Sequence, residues 1–285
     1  MAKIASPKIF GVLGYPAKHS LSPLMHNAAL AALKIDAQYR IFEVKPEDLD
    51  NFLAGLSKEN ISGLNVTIPY KEKILDFVKL DQKSFYLKQI KAVNTIVLQD
   101  GAWIGFNTDI PGFGKDLHEH GISPQGKSVA LLGAGGAGKA VAYALAAAGA
   151  KDIAVYDADT IRAKGIADLI KNLFPGSKVK AVDNISDLDI KQKDILVNAT
   201  PIGMKESDPC LVSIDMLHPG LFVYDLIYNP PETKLLQLAK EKGLTCANGL
   251  GMLLYQGVLA FKHFTGRDAP VEIMRRALEE GVKKL

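Results

Sequence analysis

The sequence predicts an α/β protein made of two domains, and three observations support that prediction. Apolar, strand-like runs alternate with helical stretches between Lys8 and Leu56, an order typical of mostly parallel sheets. A second alternating series begins at the glycine-rich turn between Gly133 and Gly138. The chain has 285 residues, which is long enough for two separate hydrophobic cores.

The glycine-rich turn predicts the function of the second domain. An apolar run, Val129–Leu132, precedes three glycines in G-x-G-x-x-G spacing, and an alanine-rich helical stretch continues to Ala148. In this order the first glycine permits a tight turn, the second lets a pyrophosphate approach the backbone, and the third lets helix and strand pack closely. The context favours a dinucleotide site over an ordinary bend. The residues predicted to hold the pyrophosphate are Gly133, Ala134, Gly135, Gly136, Ala137 and Gly138.

Composition and charge exclude several other classes of function. Hydrophobic residues make up 48% of the chain and the net charge is +3, without a dense Lys/Arg block, so no nucleic-acid partner is expected. Cys210 and Cys246 lack metal-ligand spacing, which indicates buried thiols in a reducing compartment and no metal site. No signal-peptide core and no helix of membrane-spanning length are apparent. We expect a cytoplasmic protein with no membrane partner, as a monomer or a homodimer.

Two serines lie next to the start of the first helix. Ser22 is predicted to be the N-cap, with Pro23 at the first helical position, and the helix should run to about Leu33. On spacing alone Ser20 would be a solvated loop residue. The alternative is that both hydroxyls donate hydrogen bonds to a substrate carboxylate, which a helix N-terminus also attracts.

A lysine and an aspartate follow the ends of two predicted strands. The strand Ile61–Ile68 must stop at Pro69, so Thr67 and Lys71 should project from its carboxyl end, where α/β sheets bind ligands. A lone lysine is usually a solvated charge, and Asp109 could simply cap the helix that begins near residue 111. Placed together, however, a lysine and a carboxylate could hold an alcohol and move its proton as the alcohol is oxidised to a ketone.

Four segments of the chain resemble shikimate dehydrogenases. They occur in that family's order and spacing, over nearly the whole chain: Ser20-Leu-Ser22-Pro23, Asn65-Val-Thr67-Ile-Pro69-Tyr-Lys71, Ala92-Val-Asn94-Thr95 and Gly105-Phe-Asn107-Thr108-Asp109. The resemblance implies that Lys71 and Asp109 are the catalytic pair. It also implies a set of residues that hold the carboxylate and hydroxyls of shikimate, namely Ser20, Ser22, Thr67, Asn94, Asp109, Tyr228 and Gln256. Lys91 stands where the family usually has glycine, and we expect little effect on the chemistry.

The same resemblance implies the domain roles and further cofactor contacts. A substrate-binding, catalytic domain is expected at residues 1–112 plus 249–285, and a Rossmann-like dinucleotide-binding domain at residues 113–248, with a cleft between them. Thr200, the backbone of Leu226 and Gly249 are expected near the cofactor.

Between the two β-rich runs of the first domain, Asp100 and Gly101 predict a hairpin turn.

The choice between NAD and NADP depends on the end of the second strand of the cofactor domain. Asp157 lies about twenty residues past the glycine turn, where an acidic residue suits a ribose with a free 2′-hydroxyl and repels a 2′-phosphate. NADP-using members of the family usually carry Asn-Arg-Thr where this chain has Asp157-Ala158-Asp159, although Arg162 remains. Alternatively, both acidic residues merely cap the helix that starts at Thr160. We favour NAD over NADP.

The implied reaction is reversible hydride transfer between 3-dehydroshikimate and shikimate. Lys71 would act either as a general base or as a stabiliser of the alkoxide. Asp157 also motivates an NAD-dependent quinate/shikimate dehydrogenase as the nearest alternative. A non-catalytic sensor of shikimate or of the dinucleotide is a third possibility, which the lysine–aspartate pair argues against.

Overall fold

The computed structural model describes residues 7–84 and 86–284, which form two compact units. The first unit comprises the described residues up to Thr108 together with Leu254–Lys284, and the second is Asp109–Leu253. The sequence led us to expect divisions after residue 112 and before residue 249. In the structure the chain divides after Thr108 and after Leu253.

A mixed six-stranded sheet forms the centre of the first unit. Its strand order is β2-β1-β3-β5-β6-β4, and among the described strands β5 runs against the others. Asp100 and Gly101 both have positive φ angles, 48° and 77°, which confirms the predicted hairpin turn between β5 and β6. The elements up to Thr108 are β1 (Lys8–Gly14), α1 (Ser22–Ala32), β2 (Ala37–Glu43), α2 (Leu49–Gly55), β3 (Ile61–Val66), β4 (Lys79–Leu80), α3 (Leu87–Ile90), β5 (Thr95–Gln99) and β6 (Ala102–Phe106).

The second unit contains an all-parallel sheet with the strand order of Rossmann folds. The order is β12-β11-β10-β7-β8-β9, so the chain reverses its direction of winding between β7 and β10. This confirms the predicted α/β class with two largely parallel sheets. The remaining elements are α4 (Asp109–Glu119), β7 (Ser128–Leu132), α5 (Gly136–Ala147), β8 (Asp152–Tyr156), α6 (Thr160–Leu173), β9 (Lys178–Val182), β10 (Ile195–Asn198), β11 (Phe222–Asp225), α7 (Lys234–Glu241), β12 (Cys246–Asn248), α8 (Leu250–Thr265) and α9 (Val271–Val282).

The apolar runs of the sequence form the buried centre of this second sheet. Val129 and Leu131 on β7 and Val155 on β8 are fully buried. Parallel strands covered by helices on both faces lack polar alternation, which is why these segments are continuous apolar runs. Four alanines of α5 also lie in the core, and their small side chains let the helix lie close to the sheet: Ala140, Ala142, Ala144 and Ala146.

The last two helices complete the core of the first unit. The ring of Phe264 on α8 stacks on Phe10 of β1 with 5.0 Å between centroids. A Cβ on Gly63 of β3 would meet that phenylalanine ring at 2.5 Å, so glycine is needed for α8 to lie this close. His26 of α1 is stacked on Tyr39 and is 1% exposed, and burial lowers its pKa to about 3. It is therefore a neutral packing residue at physiological pH.

Two predictions about helix starts are wrong. Ser22 is not the N-cap of α1, because the helix begins at Ser22 itself and the capping position is Leu21, without a side-chain bond. Instead the N–H of Ser22 donates to the Oγ of Ser20 at 3.3 Å, so the preceding serine supports the helix start. The helix expected near residue 111 begins at Asp109, and Pro111 fits within the first turn because no helical N–H bond is needed there.

Two elements of the second unit were not foreseen from the sequence. Helix α7 has Thr233 as its N-cap, whose Oγ1 accepts from the N–H of Leu236. Strand β12 contains three residues and pairs with β11. Over residues 7–84 and 86–284, no helix is long and apolar enough to cross a membrane. Within the same ranges, no three His, Cys, Asp or Glu side chains gather where they could hold a metal ion.

We predict that Lys91→Gly stabilises the protein. Lys91 ends α3 in the left-handed conformation, with φ 48° and ψ 45°, which is strained for a residue with a Cβ. After allowing for the greater freedom of glycine in the unfolded chain, the gain should be roughly 0.5–1 kcal/mol. Urea unfolding and thermal melting followed by circular dichroism measure it.

Lys88→Gly, inside the same short helix, is the matched control and should destabilise. Equal losses in stability for the two variants would contradict the assignment of strain to Lys91.

Candidate active site

The predicted substrate residues leave the first sheet at one edge. The register aligns Leu13 with Val66, and Asn65 with Thr95, which in turn aligns with Phe106. The carboxyl ends of β1, β3 and β6 therefore meet the amino end of the antiparallel strand β5. Loops at this edge carry the predicted residues Ser20, Thr67, Lys71 and Asn94, and the helices α1 and α4 begin there with Ser22 and Asp109. The strand directions thus bring together side chains that lie far apart in sequence.

The loop that carries Lys71 is fixed on both sides of the lysine. The preceding residue, Tyr70, is fully buried, and its hydroxyl donates to the carbonyl oxygen of Val44. The N–H of Val93 donates to the carbonyl oxygen of Lys71 at 2.8 Å. The lysine side chain itself is half-buried. A rigid backbone and a partly exposed side chain suit a group that must reach a substrate repeatedly in one geometry.

A buried chain of polar groups lies behind this edge. The hydroxyl of Tyr39 donates to Asn65 Oδ1 at 2.7 Å, and Asn65 Nδ2 donates to Thr95 Oγ1 at 3.0 Å. Thr95 Oγ1 donates to Asn94 Oδ1 at 3.1 Å, and that oxygen also accepts from the N–H of Thr108 at 2.7 Å. All five residues are at most 5% exposed. The amide of Asn94, predicted to bind substrate, therefore also fixes the residue that precedes Asp109.

Tyr39 and Asn65 are not among the residues predicted from the sequence to act in the site. The available signal was a polar residue in the apolar strand β3, since a buried amide has to find partners. Of the other predicted substrate residues, Ser20 and Thr67 are half-buried, while Ser22 and Asp109 are 4% and 5% exposed. Gln256 lies on α8 and is 8% exposed, so it is not the solvated polar-face residue that its isolated position in the sequence suggested. Tyr228, in the second unit, is half-buried.

The predicted cofactor residues leave the second sheet at its carboxyl edge. Leu132 at the end of β7 pairs with Tyr156 on one side and Asn198 on the other, so the three strand ends are level. The loops that follow the strands of this edge carry Gly133, Asp157, Thr200, Leu226 and Gly249. In open α/β sheets, ligands bind outside the carboxyl ends of the strands at the point where the winding reverses.

The three glycines of the motif occupy three different environments. Gly133 has φ 98°, and a Cβ there would lie 2.7 Å from the carbonyl carbon of Ala199, at the end of β10. A Cβ on Gly138 would overlap the carbonyl oxygen of Gly133, so this glycine allows helix α5 to start directly against the strand end. At Gly135 nothing lies within 4 Å of the Cβ position. That open space at the N-terminus of α5 fits an approaching pyrophosphate.

The acidic residues after β8 have different partners. Asp157 Oδ2 accepts from the N–H of Ala134 at 2.6 Å, and its Oδ1 accepts from the N–H of Asp159. Asp159 caps α6 by accepting from the N–H groups of Ile161 and Arg162. The capping alternative is therefore right for Asp159 and wrong for Asp157, which is bonded to the glycine turn. The Nε of Arg162 lies 3.3 Å from Asp159 Oδ2, with both side chains largely exposed.

A second buried polar group orders the loops after β10 and β11. Asp225 is fully buried, and its carboxylate accepts from Asn198 Nδ2 at 3.0 Å and from Thr233 Oγ1 at 2.6 Å. Burial raises the pKa of the Asp225 carboxyl, and these hydrogen bonds oppose the shift. Asn198 Oδ1 accepts from the hydroxyl of Thr200 at 2.7 Å. Thr200, predicted to contact the cofactor, is thus held in place by a network that the sequence reasoning missed.

The loop after β11 also approaches the start of α8 closely. The N–H of Leu226 donates to the carbonyl oxygen of Asn198 at 2.9 Å. The N–H of Gly249 donates to the carbonyl oxygen of Ile227 at 3.2 Å. A Cβ on Gly249 would overlap the carbonyl oxygen of Leu226. Glycine is therefore needed at this position for two of the predicted cofactor segments to lie side by side.

The fold and the glycine turn define a class of protein, the α/β proteins that carry a Rossmann-like dinucleotide-binding unit. Residues 12–96 match the family described as the shikimate dehydrogenase substrate binding domain, and residues 249–279 match the shikimate 5'-dehydrogenase C-terminal domain. The shikimate dehydrogenase (NADP(+)) of Alkaliphilus metalliredigens is 42% identical over 276 residues, covering 95% of this chain and 96% of that protein. This chain belongs to the shikimate dehydrogenase family.

Two solved structures show the same fold over nearly the full length. Shikimate 5-dehydrogenase from Listeria monocytogenes, in complex with shikimate and NAD, has a TM-score of 0.85 at 34% identity, covering 95% of this chain and 96% of that one. Quinate dehydrogenase from Corynebacterium glutamicum, in complex with NAD, has a TM-score of 0.86 at 34% identity, covering 96% and 99%. The structural likeness therefore extends over both units of the chain.

We predict that alanine impairs dinucleotide binding at one glycine of the turn and folding at another. Gly135→Ala should fold with an unchanged Tm, because the added methyl group meets no protein atom and φ is −74°. It should raise the KM for the dinucleotide by about tenfold or more, because the methyl group takes up the space that a pyrophosphate would enter. Thermal melting and steady-state kinetics measure both quantities.

Gly138→Ala is the comparison, since its methyl group overlaps a backbone oxygen and should lower the Tm or prevent folding. An unchanged dinucleotide KM in a folded Gly135→Ala enzyme would contradict the assignment of the cofactor to this turn.

Proposed function

We propose that this protein interconverts 3-dehydroshikimate and shikimate, with NAD or NADP as the hydride carrier. The observation that carries the proposal is the arrangement at the edge of the first sheet. Strand direction and register bring the loops of Ser20, Lys71 and Asp109 to one edge there. Membership of the shikimate dehydrogenase family supports the same assignment.

The substrate roles follow the chemistry of each side chain. The hydroxyls of Ser20 and Ser22 bind the carboxylate of the substrate in this proposal. Both lie beside the N-terminus of α1, where negative charge is favoured. The ring hydroxyls are assigned to Thr67, Asn94, Asp109 and Gln256, with Tyr228 also reaching the substrate. These groups supply both donors and acceptors, which a polyhydroxylated acid requires.

Lys71 and Asp109 are assigned to the reacting hydroxyl. The nicotinamide of the bound dinucleotide supplies or accepts the hydride. As a general base, Lys71 would take the hydroxyl proton when the alcohol is oxidised and return it when the ketone is reduced. Asp109, in the first turn of α4, accepts a hydrogen bond from that hydroxyl and orients the lysine. Lys71 acts as a general base if it is uncharged when the alcohol binds, and as a stabiliser of the alkoxide if it stays protonated.

We predict that Lys71→Met lowers kcat for shikimate oxidation by about 10²–10⁴-fold, the usual contribution of a proton-transfer group. The KM for shikimate should change by much less, because the carboxylate and the other hydroxyls keep their partners. Lys73→Met, an exposed lysine two residues along, is the matched control and should retain wild-type kinetics. Initial rates of dinucleotide reduction at 340 nm measure both variants.

Two outcomes would contradict this assignment. A Lys71→Met enzyme with wild-type kcat would remove the lysine from the mechanism. A wild-type protein that binds shikimate in calorimetry but turns over no 3-dehydro acid with either dinucleotide would instead be a sensor.

We further propose that the dinucleotide is NAD rather than NADP. Support comes from the carboxylate of Asp157 at the glycine turn and from the absence of a basic side chain at Ala158. Asp159 lies beside Arg162, the cation that remains from the family's pattern, and reduces its attraction for a phosphate. The relative from Alkaliphilus metalliredigens is named for NADP(+), while the Listeria structure contains NAD. Both dinucleotides are therefore represented among the proteins that this chain resembles.

We predict a higher kcat/KM for NAD than for NADP in the wild type, and a shift toward NADP in Ala158→Arg. Residue 158 is exposed, so an arginine there can extend without a clash and bind a 2′-phosphate. The NADP/NAD ratio of kcat/KM should rise about tenfold or more, which corresponds to about 1.4 kcal/mol. Ala158→Gln supplies a long neutral side chain as the control. A wild-type preference for NADP of tenfold or more would overturn the proposal.

Quinate is the alternative substrate that a specific observation favours. The quinate dehydrogenase from Corynebacterium glutamicum is described in complex with NAD, the dinucleotide proposed here, and has the same fold. Measuring kcat/KM for shikimate and for quinate, each with both dinucleotides, distinguishes the two substrates.

A further inference from the structure

One acidic side chain outside the predicted site holds the loop that carries Ser20 and leads to Ser22, the first residue of α1. Glu43 is the last residue of β2 and pairs in register with Gly14, the last residue of β1. Its Oε2 accepts hydrogen bonds from two successive backbone N–H groups, that of Ala17 at 2.9 Å and that of Lys18 at 3.0 Å. A single carboxylate oxygen therefore fixes the backbone immediately after β1.

The hydrogen bonds continue from this contact to the serines. The carbonyl oxygen of Ala17, whose N–H Glu43 binds, accepts from the N–H of Ser20 at 3.0 Å. The Oγ of Ser20 then accepts from the N–H of Ser22 at 3.3 Å, at the first residue of α1. Hydrogen bonds thus connect Glu43 with the helix start through Ala17 and Ser20.

The carboxylate is suited to this position. Hydrogen bonds from the N–H groups of Ala17 and Lys18 hold the pKa of Glu43 below its usual range, although burial acts in the opposite direction. Its side chain is 21% exposed, and the ammonium of Lys18 lies 3.6 Å from its Oε1. Hydrogen bonds to an ionised acceptor are about twice as strong as neutral ones, so they can hold a backbone segment that lies outside the helices and strands.

We propose that Glu43 is a positioning residue for recognition of the substrate carboxylate, acting through the backbone of Ala17 and Lys18 to fix the hydroxyls of Ser20 and Ser22. This inference rests on the proposed role of the two serines. Glu43 itself touches no reacting atom. Its loss should therefore weaken substrate binding and leave the chemical step and the dinucleotide largely unaffected.

The test compares Glu43→Ala with the conservative variant Glu43→Gln, which keeps an acceptor oxygen. Glu43→Ala should raise the KM for shikimate at least fivefold, with kcat and the KM for the dinucleotide within twofold of wild type. Hydrogen–deuterium exchange at the amides of Ala17 and Lys18 should become at least tenfold faster. Glu43→Gln should recover most of both effects. Lys18→Ala removes the ion pair but keeps the backbone N–H, so its shikimate KM should match the wild type.

Ser20→Ala and Ser22→Ala, measured in parallel, separate this inference from the proposed function. If neither raises the KM for shikimate, the carboxylate site itself is wrong. If they do, but Glu43→Ala changes neither the KM nor the exchange of the two amides, the role of Glu43 is overturned. A raised KM without faster exchange also overturns it, because the loop was then not released.

Discussion

The direction of the strands is the constraint on which both candidate sites depend. Parallel strands in register place all their carboxyl ends at one edge, so residues distant in sequence emerge side by side. In the second unit, three strands end in register at this edge, with Leu132 paired to Tyr156 on one side and to Asn198 on the other. In the first unit the antiparallel strand β5 meets the edge with its amino end, which is why Asn94, before a strand, joins residues that follow strands.

Buried polar side chains behind each edge hold the loops that carry the chemistry. In the first unit, hydrogen bonds run from Tyr39 through Asn65 and Thr95 to Asn94. In the second, Asp225 connects Asn198 with the N-cap of α7. Removing one partner of such a bond leaves a buried group unsatisfied, at a cost of about 1–3 kcal/mol. These networks therefore hold the edge loops in one arrangement.

Predictions that depended on short-range chemistry agree with the structure. The turn at Asp100 and Gly101 needs only two residues that tolerate positive φ, and the cap of α6 needs only Asp159 and the N–H groups that follow it. A prediction that required choosing which of two neighbouring serines supports a helix start was wrong. Ser22 was expected to cap α1, but it lies inside the helix and is buried, so its neighbour Ser20 accepts the bond.

The sequence by itself determined the α/β class, the glycine turn and the identity of the residues that resemble those of shikimate dehydrogenases. Those features depend on periodicity, on φ preferences and on motifs that are contiguous in the chain. Only the tertiary structure decided that Asp157 binds the glycine turn while Asp159 caps a helix, and that Glu43 holds the loop of Ser20. A carboxylate can accept from any N–H that the fold brings within reach, and no local pattern specifies which N–H that is.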